Sequence, residues 1–433
     1  PQANPTPLTS FSMLHFDADA GVMVTASHNP APDNGYKVYL GGTVVQGDGR
    51  GVQIVPPFDA EIAAAIEAAP PADEVPMSDD LIEAVDPREE YVACASALAS
   101  GEASAREELR VVLTAMHGVG ATITSRVLAE AGFSNVSLVA AQADPDPDFP
   151  TVPFPNPEES GALDMAIEQA REQGADLIIA VDPDADRCAL AVPDPASETG
   201  WSPLSGDQIG SLLGEFLAER GMTGSLANSI VSSRLLSRIA RAHGLEHHTT
   251  LTGFKWIARA PGLGFGYEEA IGFCPDPAHV RDKDGIATSV VAASLVAALK
   301  AQGRSVWDEL ERLARLHGLH VSSPLTFRVE EIDQIASGMA RLRAQPPSVL
   351  AGSPVVEVSD LSQGYRGLPP TDGVLVLTEA GDRVIARPSG TEPKLKCYLE
   401  VILPVAEGEP LPWEQARERL DAIKGAFAEI IGL

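Results

Sequence analysis

The sequence predicts an α/β protein in which similar domains follow one another along the chain and a compact α+β domain comes last. Three features support this fold class: strands and helices alternate over residues 110–192, the alternation starts again after Pro203, and strands dominate from Ser322. Such alternation favours mixed, largely parallel sheets that helices cover on both faces. A chain of 433 residues is long enough for about three domains, and for between two and four.

The first hundred residues contain two predicted strands and two predicted helices. The apolar run Val22-Met23-Val24 predicts a buried strand, and residues 36–40 predict a second one. The helices are predicted at residues 60–69 and 91–98, and a linker is expected at residues 101–106. This part of the chain therefore predicts a first α/β domain that ends near residue 100.

The middle of the chain repeats the same rhythm twice. The first pass predicts three strands, two helices and one long loop rich in proline and aspartate: strands 110–114, 136–139 and 176–181, helices 120–131 and 163–173, and loop 143–159. The second pass predicts four helices and two strands: helices 207–219, 233–243, 286–301 and 305–316, and strands 229–231 and 265–267. Glycines follow several of these helices, where a helix commonly ends.

The last part of the chain changes pattern. It predicts four strands and two helices: strands 325–329, 374–377, 384–386 and 396–402, and helices 332–343 and 413–431. Strands grouped together with flanking helices are typical of an α+β domain.

Composition limits the partners of the protein. The net charge of −30 argues against a broad electrostatic contact with nucleic acid or anionic membranes, because both require a basic surface. Four widely spaced cysteines without a CxxC pair favour a reducing, cytoplasmic compartment. No signal peptide opens the chain, and the longest apolar run, residues 290–299, is too short to span a bilayer. The first eight residues resemble the middle of a domain, so further residues are expected upstream.

The segment 21–37 contains the candidate nucleophile. Ser27 lies where the predicted strand 22–24 passes into a loop that contains Asn29-Pro30, and Pro30 biases its predecessor away from helix. His28 follows directly, and Lys37 comes shortly after. A serine in an ordinary polar turn is the competing interpretation.

The segment 182–187 is a candidate metal site. Asp182, Asp184 and Asp186 alternate in a loop between two apolar strands, where their charges would repel one another. A divalent cation relieves that repulsion, and three carboxylates leave room on Mg²⁺ for a phosphate oxygen or water. An EF-hand is rejected because Arg187 and Pro193 occupy positions where that loop needs glycine and glutamate. Arg187 is a bidentate phosphate binder, which favours a metal and phosphate site over a solvated acidic turn.

Two further segments suit a phosphorylated sugar. Residues 387–394 combine two cations, two hydroxyls and a glycine, which can form an anion-binding nest, although a hairpin turn has similar composition. The members of this nest are Arg387, Ser389, Gly390, Thr391 and Lys394. Residues 264–284 offer carboxylates for sugar hydroxyls and cations for a phosphate, with a weaker signal before them; these residues are Glu268, Glu269, Arg281 and Lys283, preceded by Thr252, Gly253 and Lys255.

Taken together, these motifs resemble the α-D-phosphohexomutase superfamily, which includes phosphoglucomutases and phosphomannomutases. The matching segments are TASHNP at 25–30, DPDADR at 182–187, GYEEAIG at 266–272, RDKDG at 281–285 and RPSGTEPK at 387–394. MHGVG at 116–120 and FPNPE at 154–158 are similar to one branch of the superfamily. The resemblance covers essentially the whole chain.

The resemblance implies four domains around a central cleft: residues 1–100, 101–204 and 205–321 as related α/β domains, and 322–433 as the α+β domain. It also implies that Ser27 carries a phosphoryl group, and that Mg²⁺ is held by Asp182, Asp184, Asp186 and that phosphoryl group. The phosphoserine would convert a sugar monophosphate into a bisphosphate intermediate, with a sugar bisphosphate of the glucose 1,6-bisphosphate type as activator.

The remaining roles follow from the same resemblance. Arg187 would neutralise the moving phosphoryl group, and Lys37 and His28 would act as general acid and base, because a lysine beside cations can have a lowered pKa. The nest at 387–394 would hold the phosphate that does not react, with hinge closure on binding. The expected protein is a monomer or homodimer that binds small sugar phosphates.

Three departures from the family pattern bear on the substrate and the loop. Pro183 and Ala185 replace the usual glycines of the metal loop, which should stiffen it. Ala270 stands where hexose-specific members usually carry serine, as in the branch with phosphopentomutases and sugar-bisphosphate synthases. The family's N-terminal segment has no counterpart ahead of Pro1.

The leading hypothesis is a Mg²⁺-dependent mutase for glucose or mannose phosphates, and the alternatives within the enzyme class are a phosphopentomutase or a sugar-bisphosphate synthase. A serine hydrolase that uses Ser27 and His28 is disfavoured, since no G-x-S-x-G elbow surrounds Ser27. A non-catalytic sugar-phosphate sensor is disfavoured because it would not need a nucleophile, three aspartates and Lys37.

Overall fold

The computed structural model describes residues 3–329, 331–388 and 393–432. The chain divides into two compact units. The first comprises the chain up to Ser225 together with Gly253–Arg304, and the second comprises Leu226–Thr252 together with the chain from Ser305.

The chain starts with a helix and a small antiparallel sheet. Its elements up to residue 96 are α1 (Thr6–His15), β1 (Ala20–Val24), β2 (Tyr36–Leu40), β3 (Val52–Gln53), α2 (Phe58–Ala68) and α3 (Arg88–Ser96). The strand order is β1-β2-β3, with antiparallel pairing throughout. The predicted strand at 36–40 is confirmed, and the two predicted helices correspond to α2 and α3.

Two expectations about this part are wrong. The strand at 22–24 exists but is not buried: Val22 is 59% and Val24 73% exposed, because β1 is an edge strand and only its other face packs on α1. Helix α1 was not predicted. Prolines tolerate the first turn of a helix, and Pro7 lies in that turn, so the proline-rich start is compatible with a helix.

The next elements form a mixed sheet. They are α4 (Ala103–Glu108), β4 (Arg110–Thr114), α5 (Ala121–Glu130), β5 (Asn135–Leu138), α6 (Asp164–Gln173), β6 (Leu177–Val181), β7 (Cys188–Pro193) and β8 (Trp201–Pro203). The order is β5-β4-β6-β7-β8; β4 is parallel to β5 and β6, and the remaining pairs are antiparallel. Every residue of β6 is buried, as the continuous apolar run predicts for a covered parallel strand. The linker expected at 101–106 is wrong, because good helix formers after Gly101 build α4.

The third group of elements is rich in helices. They are α7 (Gly206–Glu219), β9 (Ser225–Ser229), α8 (Leu235–Ala242), β10 (His247–Thr250), α9 (Phe254–Ile257), β11 (Leu263–Glu268), β12 (Gly272–Cys274), α10 (Gly285–Ala301) and α11 (Val306–His317). β9 and β10 are parallel, and β11 and β12 form an antiparallel pair. The strand predicted at 229–231 lies too late in the chain: β9 is polar, and hydrogen bonds such as Asn228 Nδ2 to the Ser233 carbonyl (2.8 Å) satisfy its side chains.

Helix α10 is the central helix of the first unit. Almost all of its residues are buried, and it packs against α3, α4, α5 and α7. The carboxylate of Asp284 caps its start by accepting the Ile286 and Ala287 N–H groups at 3.1 and 2.9 Å. Small residues along the helix allow this close packing.

The last elements form an antiparallel sheet with two helices. They are β13 (Leu319–Arg328), α12 (Ile332–Ala344), β14 (Val349–Leu350), β15 (Ser353–Asp360), β16 (Val374–Thr378), β17 (Arg383–Pro388), β18 (Lys394–Leu403) and α13 (Trp413–Ile431). The order is β13-β18-β17-β16-β15-β14. Apolar residues of this sheet share a core with α12 and α13, including Leu342, Val376, Val401, Leu420 and Phe427. The mixed sheets and helices confirm the predicted fold class, although β15 was missed.

A buried charged group, here called the Glu400 cluster, lies inside the second unit. It consists of Ser233, Arg234, His320, Arg383 and Glu400. Glu400 is 1% exposed, and it accepts the Ser233 hydroxyl and the Arg234 N–H at 2.8 Å and the Arg234 Nε–H at 2.6 Å. The cluster ties the segment 226–252 to β18.

Among the described residues, no single helix has both the length and the apolar composition of a membrane span. The consecutive helices α10 and α11 meet that test only when they are taken together.

Candidate active site

Ser27 lies in a strained turn directly after β1. Its φ of 56° is in the left-handed region, which is uncommon for residues other than glycine and is often found at functional sites. The Thr25 hydroxyl accepts the Ser27 N–H at 2.8 Å and fixes this turn. The Ser27 Oγ lies 3.1 Å from His28 Nδ1 and 3.3 Å from Oδ2 of Asp182. The turn therefore presents the hydroxyl to the aspartate loop.

The aspartate loop joins β6 to β7. Asp182, Asp184 and Asp186 are all buried, and they offer carboxylate oxygens that lie within 4.8 Å of one another. Ala185, with φ of 55°, makes the left-handed turn between them. The loop is held from below by the Val119 N–H, which donates to the Pro183 carbonyl at 2.8 Å.

The same loop fits a hard divalent cation. Asp184 Oδ1 and Asp186 Oδ1 are buried and have no hydrogen-bond partner within the part of the chain that the structure describes. Buried carboxylate oxygens are costly to leave without a partner, and oxygen ligands of this kind are those that Mg²⁺ and Ca²⁺ prefer. Burial, followed by the charges of Asp184 and Asp186, raises the pKa of Asp182 well above its ordinary value.

Lys37 reaches the aspartate loop from β2. Its Nζ lies 2.7 Å from Asp184 Oδ2 and also contacts Asp186. Burial lowers the pKa of Lys37, but the charges of Asp186 and Asp184 outweigh it and hold that pKa above its ordinary value. The expectation that neighbouring cations lower this pKa is therefore wrong for the chain as it stands, because the nearest charges are carboxylates.

His28 is the second predicted proton carrier. Burial, and then the charge of Arg187, lowers the pKa of His28 to about 3, so its imidazole is neutral near pH 7. The edge of the Phe154 ring lies beside it, with ring centroids 6.3 Å apart. Phe154 belongs to the segment FPNPE, so the structure brings that motif to the nucleophile.

Arg187 links the aspartate loop to the predicted sugar loop. Its Nη1 donates to the Ala270 carbonyl at 3.0 Å, and its Nε lies 3.9 Å from Asp186 Oδ1. Burial lowers the pKa of Arg187, but the charges of Glu268 and Asp186 raise it above its ordinary value. Arg187 therefore stays charged between two acidic groups.

The sugar loop connects β11 to β12 and meets Lys283. Glu268 ends β11 and is buried, whereas Glu269 and Ala270 are half-buried. Lys283 Nζ lies 3.2 Å from Asp186 Oδ2. Gly272 is required for this approach, because a Cβ there would lie 2.4 Å from Lys283 Cδ and 2.9 Å from Glu268 Oε1.

Arg281 is turned towards a different place. Its Nη2 lies 3.5 Å from Asp48 Oδ1, and the residue lines a cavity of about 610 Å³ together with Arg50 and Met222. The structure therefore places Lys283, but not Arg281, against the carboxylates. Gly253 and Lys255 lie at the start of α9, and the roles predicted for them and for Thr252 stay predictions.

The predicted phosphate nest belongs to the second unit. Arg387 lies in β17 opposite Lys396, and Lys394 is the first residue of β18. Ser389, Gly390 and Thr391 lie outside the described residues.

Several residues that support the site were missed. Thr6 donates its hydroxyl to Asp184 Oδ2 at 2.7 Å, and Tyr39 and Gln53 donate to Asp282. Tyr39 shares a strand face with Lys37, which is a signal that the alternation of β2 contains. Thr6 had no local signal beyond the proline at the start of α1.

Comparison with known proteins gives one consistent family. Four models match the chain in order: Phosphoglucomutase/phosphomannomutase, alpha/beta/alpha domains I, II and III over residues 2–72, 89–196 and 205–316, and the C-terminal domain over residues 327–429.

Three relatives match most of the chain and carry three different names. A probable phosphomannomutase from Haemophilus influenzae is 45% identical over 408 residues, which cover 92% of this chain and 81% of the relative. A phosphopentomutase from Mus musculus is 32% identical over 98% of this chain and 73% of its own. A phosphoglucomutase from Staphylococcus aureus is 31% identical over 92% of this chain and 75% of its own.

Solved structures share the fold. A phosphoglucomutase/phosphomannomutase family protein from Burkholderia thailandensis superposes with a TM-score of 0.70 at 19% identity, over 99% of this chain and 81% of that one. A phosphoglucomutase from Paramecium in an open form gives 0.71 at 18% identity, over 99% and 82%.

Proposed function

The chain belongs to the phosphoglucomutase/phosphomannomutase family, and on that premise we propose that it is a Mg²⁺-dependent mutase for glucose or mannose phosphates. The reaction would move phosphate between the C1 and C6 hydroxyls through a phosphoserine at residue 27 and a bisphosphate intermediate. Isomerase-type phosphotransferase activity is common to the named relatives.

One observation carries the proposal. The Ser27 hydroxyl lies 3.3 Å from Asp182, at the edge of three buried carboxylates that share partly unpaired oxygens. A hydrolase would place the serine beside a base and an oxyanion hole instead. A serine next to a carboxylate cluster makes sense when the serine carries phosphate, because a bound cation then compensates both groups of charge.

The proposed cycle balances phosphate and protons. A free hydroxyl of the sugar phosphate attacks the phosphorus on Ser27, the bond to Oγ breaks as the bond to the sugar oxygen forms, and the hydroxyl proton leaves to a base. The bisphosphate then turns over, and Ser27 Oγ takes the other phosphoryl group. The serine proton returns to the freed sugar oxygen. Positioning and charge compensation supply most of the catalysis in such transfers.

Asp182, Asp184 and Asp186 are the residues that would hold the metal. Mg²⁺ bound there would supply positive charge to the transferring phosphoryl group. Arg187 and Lys283 would add cationic groups from the other side, since both lie against Asp186.

Lys37 and His28 are the proposed proton carriers. The neutral His28 ring stands 3.1 Å from Ser27 Oγ, where it can hold a proton at that atom. The ion pairs of Lys37 with Asp184 and Asp186 raise its pKa, so compensation of those carboxylates by a cation would lower that pKa towards the working range.

Substrate binding would draw on both units. Glu268 and Glu269 would accept sugar hydroxyls, with support from Thr252, Gly253, Lys255 and Arg281. Arg387, Ser389, Gly390, Thr391 and Lys394 would hold the phosphate that does not react. A sugar bisphosphate of the glucose 1,6-bisphosphate type would prime Ser27.

A pentose phosphate is the second candidate substrate. Ala270 lacks the hydroxyl of a serine at the sugar loop, and one relative with 32% identity is a phosphopentomutase. Its methyl side chain would remove one hydrogen bond to the sugar. The 45% identity to a probable phosphomannomutase supports the hexose.

A direct assay separates the sugars. Glucose, mannose and ribose 1-phosphates would each be supplied with Mg²⁺ and a catalytic amount of the matching bisphosphate. We expect the higher kcat/KM for a hexose, and a preference for ribose of more than about tenfold would contradict the proposal. The four free cysteines support a reducing, cytoplasmic compartment, and fractionation of cells would test it.

A further inference from the structure

A ring of polar contacts joins β2 to the loop before α10. Lys37 and Tyr39 occupy alternate positions of β2 and so point to the same face of the strand. Lys37 reaches the aspartate loop, whereas the Tyr39 hydroxyl donates to Asp282 Oδ2 at 2.6 Å. The strand therefore addresses the aspartate loop and the loop of Lys283 at the same time.

Asp282 is the buried centre of these contacts. It is 1% exposed, and its Oδ2 also accepts the Gln53 side chain at 2.6 Å. Gln53 lies directly opposite Tyr39 in the antiparallel pair of β2 and β3, so two cross-strand neighbours bind one oxygen. Oδ1 accepts the backbone N–H of Lys283 at 2.8 Å.

Lys283 stands between two carboxylates. Its Nζ lies 3.2 Å from Asp186 Oδ2 and 3.7 Å from Asp282 Oδ1, and its side chain is 8% exposed. The shorter distance is to Asp186, because Tyr39 and Gln53 already compensate Asp282. The balance between the two carboxylates decides where the ammonium group stands.

We propose that Tyr39 and Asp282 form a positioning pair that holds the ammonium group of Lys283 against Asp186, at the place where the phosphoryl group would move. This inference rests on the proposed mutase function. Tyr39 and Asp282 act through Lys283, so they are positioning residues.

The substitution Tyr39→Phe tests the pair. Without the phenol, Asp282 loses a donor and attracts Lys283 Nζ more strongly, so the ammonium group moves away from Asp186. Misplacement of one charged group by about 1 Å should lower kcat about tenfold, with KM nearly unchanged. Gln53→Leu removes the other donor to Oδ2 and should act in the same direction with a smaller effect.

The chain contains a matched control. Tyr91 is also buried, and its hydroxyl donates to Asp284 Oδ1 at 2.8 Å, in the same loop. Asp284 caps α10 instead of facing a lysine of the site. Tyr91→Phe should lower the melting temperature as much as Tyr39→Phe, but should change kcat by less than about twofold.

A second readout does not depend on turnover. In the metal-free protein, removal of Lys283 from Asp186 should strengthen binding of Mg²⁺ or Mn²⁺ by about threefold in Tyr39→Phe, measured by calorimetry, because a competing cation has left. Tyr91→Phe should bind these ions as the unchanged chain does.

These outcomes decide between the two ideas. Equal kcat losses in Tyr39→Phe and Tyr91→Phe, or equal ion affinities, would overturn the positioning role. If the unchanged chain interconverts none of the sugar phosphates, the proposed function fails, and the comparison of ion affinities still decides whether Tyr39 positions Lys283.

Discussion

The aspartate loop and the Glu400 cluster both bury carboxylates among cationic side chains, and they differ in how those carboxylates are satisfied. Both oxygens of Glu400 accept hydrogen bonds from Ser233, Arg234 or His320. In the aspartate loop, Asp184 and Asp186 each keep one buried oxygen without a partner among the described residues.

The pKa values follow the same division. Burial raises the pKa of Glu400, but the charge of Arg383 and the hydrogen bond from His320 hold it well below its ordinary value. Asp182 shows the reverse, since burial and its acidic neighbours raise its pKa. A satisfied buried charge stabilises the fold, whereas an incompletely satisfied cluster retains capacity for a ligand.

The largest expected effect of a substitution belongs to the aspartate loop. Asp182→Asn keeps the shape of the side chain but removes a ligand charge beside Ser27, so mutase activity should fall at least about 10²-fold. Stability without metal should not fall, because burial already disfavours that charge. Steady-state kinetics and denaturant unfolding of the metal-free protein test both statements; unchanged activity would contradict the first.

Glu400→Gln is the mirror of this substitution. It leaves Arg234 and Arg383 buried without their counter-charge, so the unfolding free energy of the second unit should fall by about 3–5 kcal/mol. The metal affinity of the folded protein should stay the same. A variant that keeps its stability but loses metal binding would remove the distinction between the two clusters.

Gly118→Ala tests the backbone that supports the aspartate loop. A Cβ at Gly118 would lie 2.2 Å from Pro183 Cα, so the loop must move. We expect affinity for divalent ions to fall about tenfold and stability to fall by about 1–3 kcal/mol. Gly425→Ala is the control, since a Cβ there meets no atom within 4 Å; equal losses in both variants would contradict this account.

The smallest effects concern pH, and they should run in opposite directions. The stability that Glu400 contributes is present above its unfolded pKa near 4.5 and is lost as the pH falls through and below it. The gap between the unchanged chain and Glu400→Gln should therefore narrow in acid. For metal-free Asp182→Asn, stability relative to the unchanged chain should rise as the pH increases above 3.8. Denaturant midpoints across this range measure both, and parallel curves would refute the assignment.

Local spacing explains which parts of the site the sequence could predict. Asp182, Asp184 and Asp186 alternate in one loop, and the run of β6 before them marks the end of a buried strand, so their convergence could be read directly. Ser27 was recognised through the strand-to-loop corner.

Contacts between distant parts of the chain could not be read in this way. Lys37 and Asp184 are 147 positions apart, so the expectation of neighbouring cations had no local check. The contact of Tyr39 with Asp282 spans 243 positions and left no pattern in either segment. The apolar run at 22–24 was misjudged for a related reason, because burial of an edge strand depends on what packs against it.

The central claim is that Ser27 is the phosphoryl carrier. The most direct measurement is incubation of the protein with Mg²⁺ and a sugar bisphosphate labelled in its phosphates, followed by mass spectrometry of the intact chain and its peptides. The account predicts one phosphoryl group on Ser27, which a sugar monophosphate removes, and none on Ser27→Ala, which should also lack mutase activity while it still binds sugar phosphate. Label on another residue, or full activity of Ser27→Ala, would contradict the claim.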